Sequence, residues 1–260
     1  MHNKKRLSTI ISVILLGIIA VGFLFPFVWM VATSLKPTTE VFSLSPTGSR
    51  IAWDNYPSAL NSIPFGRVVL NSFIVSLAGA ALVVVVSVLS AYAFARLRFK
   101  GRDHLFMLFL GTLVLPQEVL VIPLYIGMQR MGLVNSYFAL IVPFAFGAFG
   151  AFLIRQFLMS LPLEFEEAAR IDGCSDWKIL TKILLPLLKA PITVVGVFAF
   201  IDYWSAFLWP LIVVNDSSLA TIPLGLQMFS GERGTDWGPL MAAVTMTTIP
   251  SILLVVFLQK

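Results

Sequence analysis

The sequence predicts an all-α membrane protein with six transmembrane helices and both termini in the cytoplasm. Three observations lead there. Hydrophobic residues make up 58% of the 260 and charged residues only 12%, with a mean hydropathy of +0.92. That charged share is about half the usual one, and a single water-bathed core cannot hide so much apolar side chain. Apolar runs of membrane-spanning length recur six times, and the lysines and arginines gather on alternate links between them.

A bilayer core of about 30 Å needs about 20 apolar residues in a helix. The first run, about 10–32, lies in the uncharged stretch between Arg6 and Lys36. Lys4-Lys5-Arg6 before it would also suit a signal peptide. Its apolar part outruns the roughly 7–15 residues of such a leader and no small-residue cleavage pattern follows, so an uncleaved helix is expected. The second run, about 68–95, lies between Arg67 and Arg96. The third, 105–128, is interrupted by Glu118, and Pro116 and Pro123 on either side predict a kinked or broken span. The fourth covers 137–157, the fifth 190–214 with Asp202 inside it, and the sixth 237–258.

An even count puts both ends on one side, and cations choose the side. Thirteen lysines and arginines, from Lys4 through Arg96–Arg102, Arg155 and the 160–189 link to Lys260, fall on one side. Five (Lys36, Arg50, Arg67, Arg130 and Arg233) fall on the other. The richer side is cytoplasmic. This asymmetry accounts for the net charge of +5 without a nucleic-acid partner, and the single Cys174 excludes an intrachain disulfide framework. Outside, the long polar link 36–66 and the link 215–236, with its tip at Gly231-Glu232-Arg233-Gly234, are expected to be solvated or to meet an external protein.

The 160–189 link is charged and patterned. Pro162 opens a helix whose first turns carry Glu164, Glu166 and Glu167, where the helix dipole favours anions. Gly173 suits its C-terminal cap. Ser175 suits the N-cap of a second helix, about 176–184, ahead of Pro186 and Pro191. Ala168 and Ala169 beside Glu167 make a small-residue surface flanked by charge, fit either for an ordinary amphipathic loop or for close approach by another protein.

Glu167-Ala168-Ala169, three residues, Gly173, nine residues, then Ile183-x-Leu185-Pro186 resembles the EAA loop of ATP-binding cassette importer permeases, with every spacing intact. Leu208-Trp209-Pro210-Leu211, Leu115-Pro116, Ile122-Pro123-Leu124-Tyr125 and Gly234-Thr235-Asp236-Trp237 resemble segments of the carbohydrate-uptake branch. The resemblance spans essentially the whole chain. It implies the type I importer permease fold, like the smaller membrane subunit of maltose-type and glycerol-3-phosphate-type importers, in a prokaryotic inner membrane. It also implies partners: a second homologous permease, two ATPase subunits that carry ATP and magnesium, and an extracytoplasmic substrate-binding protein. In that family the EAA helix sits in a groove of the ATPase, and closure of the two ATPases rocks the membrane helices from inward-open to outward-open. Glu167, Ala168, Ala169, Asp172, Gly173, Ile183 and Pro186 would then form the joint. Two departures stand out. Relatives often carry Trp-Asn where this chain has Trp204-Ser205, and they usually continue past the position of Gln259-Lys260 into a basic tail, so no tail contact with the ATPase is expected.

No catalytic role is expected. The sequence has no Gly-x-x-x-x-Gly-Lys-Ser/Thr phosphate loop, no His-Glu-x-x-His zinc motif and no Gly-x-Ser-x-Gly elbow, and its histidines are His2 and His104 alone. No metal or cofactor bound by the chain itself is therefore expected. Within the spans, an ionised Glu118 or Asp202 costs ~3 kcal/mol or more unless it faces water or a neighbouring helix. Either carboxylate could contact substrate, or a partner helix or subunit interface. Gln117, Tyr125, Tyr203, Trp204 and Ser205 add hydrogen-bonding and stacking groups nearby, as a sugar pathway would. No span interior carries Lys or Arg, which tilts from glycerol 3-phosphate or another phosphorylated substrate toward a neutral sugar. The competing reading is a proton-coupled sugar carrier relaying protons through Glu118 and Asp202, and it leaves the EAA loop unused.

Overall fold

The computed structural model describes residues 2–231 and 234–258. Glu232 and Arg233 of the expected loop tip, and Gln259-Lys260 with its terminal cation, lie outside them. In chain order the helices are α1 (His2–Ser34), α2 (Asn55–Ser62), α3 (Phe65–Arg96), α4 (Arg102–Gly111), α5 (Gln117–Arg130), α6 (Tyr137–Ile141), α7 (Ala148–Ser160), α8 (Glu164–Ile171), α9 (Asp176–Ile179), α10 (Leu185–Leu187), α11 (Lys189–Ser205), α12 (Leu208–Val213), α13 (Ile222–Gln227) and α14 (Trp237–Leu258). A two-residue hairpin, β1 (Ser230–Gly231) with β2 (Gly234–Thr235), is antiparallel.

Among the described residues, two helices, α1 and α3, are long and apolar enough to cross a membrane unbroken. The third and fourth predicted runs are each a bent pair, and the fifth starts at the bend of another, whose first half is the expected second helix of the 160–189 link. The axis turns 103° between Arg102–Val114 and Gln117–Arg130, 47° between Tyr137–Phe144 and Ala148–Ser160, and 81° between Asp176–Leu187 and Lys189–Ser205. The first break follows from Pro116, which lacks an N–H and pushes Leu115 out of the helical region, to φ −78 and ψ 119. At the second, Gly147 is extended at φ −70 and ψ 144. The third sits at Leu188 (φ −91, ψ 9), after a π-helical stretch Leu180–Leu184. The expected second helix of the link, 176–184, is thus one α turn that widens into π geometry instead of a regular α-helix.

Contacts divide the chain into two units, one running to Phe65 and resuming at Gly225–Ile252, the other running from Gly66 to Leu224 and resuming at Leu253. In the first, the apolar stretch of α1 has no part buried within the chain, and side chains such as Val21, Phe23 and Phe25 are exposed around it. A helix apolar on all sides seeks lipid or other helices rather than water. The segment after α1 is pinned by Asn55, whose Nδ2 donates to the carbonyls of Ser34 (2.8 Å) and Lys36 (2.9 Å). Lys36 is fully buried. Its Nζ donates to the Ser43 carbonyl at 3.0 Å and lies 4.6 Å from the Trp29 ring centroid. Gly238 at the start of α14 belongs here because a Cβ there would lie 2.7 Å from both Asn55 Oδ1 and Thr38 Oγ1.

In the second unit, α3 is the spine. Ser72, Ser76 and Ala80 form a buried small-residue stripe at four-residue spacing, which lets neighbouring helices approach. One core, with Val75, Val121, Leu140, Tyr203, Trp209 and Val213, fills the space around the helix breaks. Another, with Val88, Tyr92, Ile154, Leu158, Ala169 and Leu184, ties the 160–189 link to α3 and α7.

Candidate functional site

Three of the chain's breaks meet at one cavity of about 330 Å³ within the second unit. Gln117 and Glu118, the first residues of α5, line it, and so do Gly147–Phe149 at the start of α7 and Ala206–Leu208 between α11 and α12. Unpaired N–H groups at the first turns of α5 and α7 give such a wall partial positive charge, which offsets the carboxylates. Glu118 and Asp202 are the charged residues on the wall, and no lysine or arginine among the described residues lines it. The rest is mostly apolar and aromatic, with Phe144, Phe149, Phe198, Phe207 and Trp209. Such a wall offers hydrogen-bond acceptors to hydroxyl groups and flat apolar faces to pyranose rings.

Buried hydrogen bonds fix the cavity's aromatic wall. Trp209 Nε1 donates to the Ala139 carbonyl at 2.8 Å and Tyr203 Oη to the Ile141 carbonyl at 2.5 Å. Tyr137 Oη donates to Asn71 Oδ1 at 2.6 Å, and Asn71 Nδ2 donates to the carbonyls of Ser218 and Ala220, both at 2.9 Å. Of the residues expected along a pathway, Gln117, Glu118, Asp202 and Tyr203 line the cavity. Tyr125, Trp204 and Ser205 do not. The Trp204 ring is buried, edge-on to Phe73 (4.9 Å) and stacked on Phe200 (5.5 Å), and Ser205 Oγ donates back to Ile201 in its own helix at 2.7 Å. Trp209 lines the cavity as well, although the sequence marks it only within a family-like segment. The signal was Pro210 beside it, which marks a second short helix after α11.

The second constellation is the 160–189 segment. α8 ends in a Schellman turn: Cys174 N donates to Ala169 O at 2.9 Å and Gly173 N to Arg170 O at 3.0 Å. Gly173 takes φ +76, the left-handed conformation that favours glycine. Ser175 caps α9 by accepting from Lys178 N, as expected, and Arg170 bridges to Asp176 at 2.8 Å. Ala169 is buried in the core against α9, whereas Glu167, Ala168, Asp172 and Gly173 are exposed. Ile183 is half-buried in that core and Pro186 is exposed. Leu163 (53%), Phe165 (51%), Ile171 (86%) and Trp177 (66%) present apolar surface around Glu167 and Ala168. Glu166, expected only as one of the acids of the first turns, is buried and pairs with Arg96 Nε at 2.5 Å.

Outside the cavity, Asn135 Oδ1 accepts from the backbone N–H of Asn215 (3.0 Å) and Asp216 (3.1 Å). The N–H and hydroxyl of Ser218 hold the Asp216 carboxyl below the usual range. These bonds order the entry to the 215–236 link.

Residues 83–260 match the family described as binding-protein-dependent transport system inner membrane component. The chain is 38% identical over 272 residues to the sn-glycerol-3-phosphate transport system permease protein UgpE of Pectobacterium atrosepticum, covering 100% of this chain and 95% of that protein. It is 33% identical over 269 residues to the arabinooligosaccharides transport system permease protein AraQ of Halalkalibacterium halodurans, covering 99% and 95%. A subunit of a bacterial ABC transporter involved in the import of the acidic polysaccharide alginate superposes with a TM-score of 0.85 over 99% of this chain and 97% of that one. At 24% identity this likeness speaks for the fold alone.

Proposed function

Since the chain belongs to the family of binding-protein-dependent transport system inner membrane components, we propose that it is one of two permease subunits of an ATP-driven carbohydrate importer. It crosses the inner membrane six times: α1 and α3 as single helices, α4 with α5 and α6 with α7 as one bent span each, α11 with α12 as the fifth, and α14 as the last. Both termini are cytoplasmic, on the side that collects thirteen of the eighteen lysines and arginines. A second, homologous permease completes the pathway, two ATPases bind ATP with magnesium, and an extracytoplasmic binding protein delivers substrate to the outer links. The chain itself does no catalysis.

One observation carries this reading. The exposed face of α8 combines Glu167, the small Ala168 and the glycine turn at Gly173 with a ring of solvent-facing apolar side chains. Apolar area presented around a small residue and a carboxylate is a docking surface, here for the ATPase. The buried side of the same helix is joined to α3 through Arg96, so that movement of the ATPase reaches the membrane helices.

The substrate is a neutral sugar or oligosaccharide. The cavity bears two carboxylates and no cation among the described residues, which disfavours a phosphorylated solute. The 38% likeness to a glycerol-3-phosphate permease supports the alternative of a glycerol 3-phosphate or polyol importer, in which the partner permease would have to supply the cations. Gentle purification of the tagged chain from its native membrane, followed by mass spectrometry, tests the assembly. Recovery of an ATPase and a second permease is expected, and the ligand of the co-transcribed or co-purified binding protein identifies the solute. A chain that comes alone and transports sugar in liposomes without ATP would be a secondary carrier instead.

A further inference from the structure

The link between α3 and α4 is five residues long and turns at Gly101, which takes φ +82. Arg98, Lys100, Arg102 and His104 surround one open recess of about 560 Å³, together with Phe99 and Asp103. Asp103 is the carboxylate there, and it is already engaged by Arg102 at 3.1 Å and Arg155 at 3.7 Å. The side chains of Arg98, Lys100 and His104 are exposed and make no hydrogen bond or ion pair with any other described residue. The nearby Arg96 and Arg155 differ. Arg96 is committed to Glu166 and to the carbonyls of Leu158 and Leu161, and Arg155 lies 4.1 Å from the Phe106 ring centroid and donates to the Phe94 carbonyl.

Against the recess stands an aromatic cluster. Phe94 packs with Phe99 (6.1 Å), Phe106 (5.2 Å) and Phe109 (6.0 Å). Phe99 remains 41% exposed, and Leu105, Met107 and Leu108 on α4 are exposed by 51%, 69% and 72%. Unspent donors and cations therefore adjoin an uncovered apolar wall at the ends of two membrane helices.

We propose that this recess binds the headgroup of an anionic phospholipid, with Arg98 and Lys100 on the phosphate diester and an acyl chain against Phe99 and α4. The proposal rests on the reading that α3 and α4 reach the membrane surface here. Topology alone asks only for cations on this side of the bilayer. It does not ask for their convergence on one recess with free donors beside an apolar wall. A soluble phosphate shares the headgroup's chemistry and uses the cations, but not the wall.

The test uses the intact transporter assembly in phosphatidylcholine nanodiscs containing phosphatidylglycerol, with retained lipid counted by native mass spectrometry. The double variant Arg98→Ser, Lys100→Ser is expected to lower apparent affinity for phosphatidylglycerol on the order of tenfold. The charge-keeping variant Arg98→Lys, Lys100→Arg should hold it near the unmodified level, and excess inorganic phosphate should not displace it. Equal retention in the serine variant would overturn the proposal. Displacement by inorganic phosphate from the unmodified assembly would overturn it in favour of a soluble-anion site, a result that stands even if the serine variant does not fold. Loss of the ATPases from the serine variant, with its lipid retained, would mean a protein contact. Absence of ATPases from the unmodified assembly would count instead against the importer reading, whatever the lipid result.

Discussion

Arg96, the last residue of α3, holds Glu166 of α8 through a buried ion pair, Nε to Oε1, with side-chain exposures of 7% and 5%. The Arg96 guanidinium also donates to the Leu158 carbonyl at 2.7 Å and the Leu161 carbonyl at 3.2 Å. One residue thus clamps the start of the exposed α8 helix to the longest membrane helix of the second unit and to the end of α7. A buried pair adds little net stability, but losing one partner strands a charge.

Arg96→Met should therefore destabilise the protein by about 3 kcal/mol, read as a lower thermal midpoint in detergent. The double variant Arg96→Met, Glu166→Met should recover most of that loss while leaving ATP hydrolysis poorly coupled to uptake. Full coupling in the stable double variant would reduce the pair to a structural tie.

Gly173 offers a second probe of the same joint. Nothing lies within 4 Å of a Cβ built there, so its requirement is φ +76 rather than space. Gly173→Ala should cost about 1 kcal/mol through the left-handed backbone. Gly173→Trp adds bulk on the exposed face beside Asp172 and should lower uptake severely while the chain still inserts and assembles. Normal uptake with ATPases retained in Gly173→Trp would sink the coupling role of this turn.

The α8 turn was legible because its determinants are local: acids in the first turn, glycine at the C-terminal cap and Ser175 at the next N-cap all act within a few residues. The break at Pro116 was legible for the same reason. Arg96 was different. Its neighbours marked it as one of many topological cations, and its partner lies 70 positions away. Trp204 and Trp209 show the other limit. Trp204 is the one that the sequence suggests would face a sugar. The end of α11 at Ser205 and the extended Ala206 (φ −61, ψ 123) shift the register, so that Trp209 reaches the cavity while Trp204 packs among phenylalanines. Ala206 is no helix breaker itself; the break there is matched by Pro210, which lacks the N–H that would bond the Ala206 carbonyl.

Close packing around the cavity depends on Gly79. A Cβ at that position would lie 2.5 Å from Tyr203 Cε2, and Tyr203 is held in place through its bond to Ile141. Gly79→Val should therefore cost about 1–3 kcal/mol by overpacking, seen as a lower thermal midpoint, and should impair uptake by displacing the tyrosine ring. Gly196→Ala is the control. Its nearest neighbour would be Val84 Cγ2 at an ordinary 3.6 Å, so both readouts should stay near those of the unmodified protein.

Glu118 and Asp202 decide between two modes of transport. Both line the cavity, at the start of α5 and near the end of α11. If they accept hydrogen bonds from sugar hydroxyls, Glu118→Gln or Asp202→Asn removes a charged acceptor. A bond of that kind is worth about 1.5–3 kcal/mol, so uptake efficiency should fall roughly tenfold or more, with ATP-driven uptake still indifferent to a protonophore. Trp204→Phe, away from the cavity, should leave the substrate dependence of uptake unchanged. If the carboxylates relay protons instead, unmodified uptake would collapse with the proton gradient, and the amide variants would abolish active transport while sparing exchange. Uptake into proteoliposomes loaded with ATP, measured with and without protonophore, separates the two. Unchanged kinetics in both amide variants would leave the carboxylates only a structural role, bonded to the helices of the partner permease.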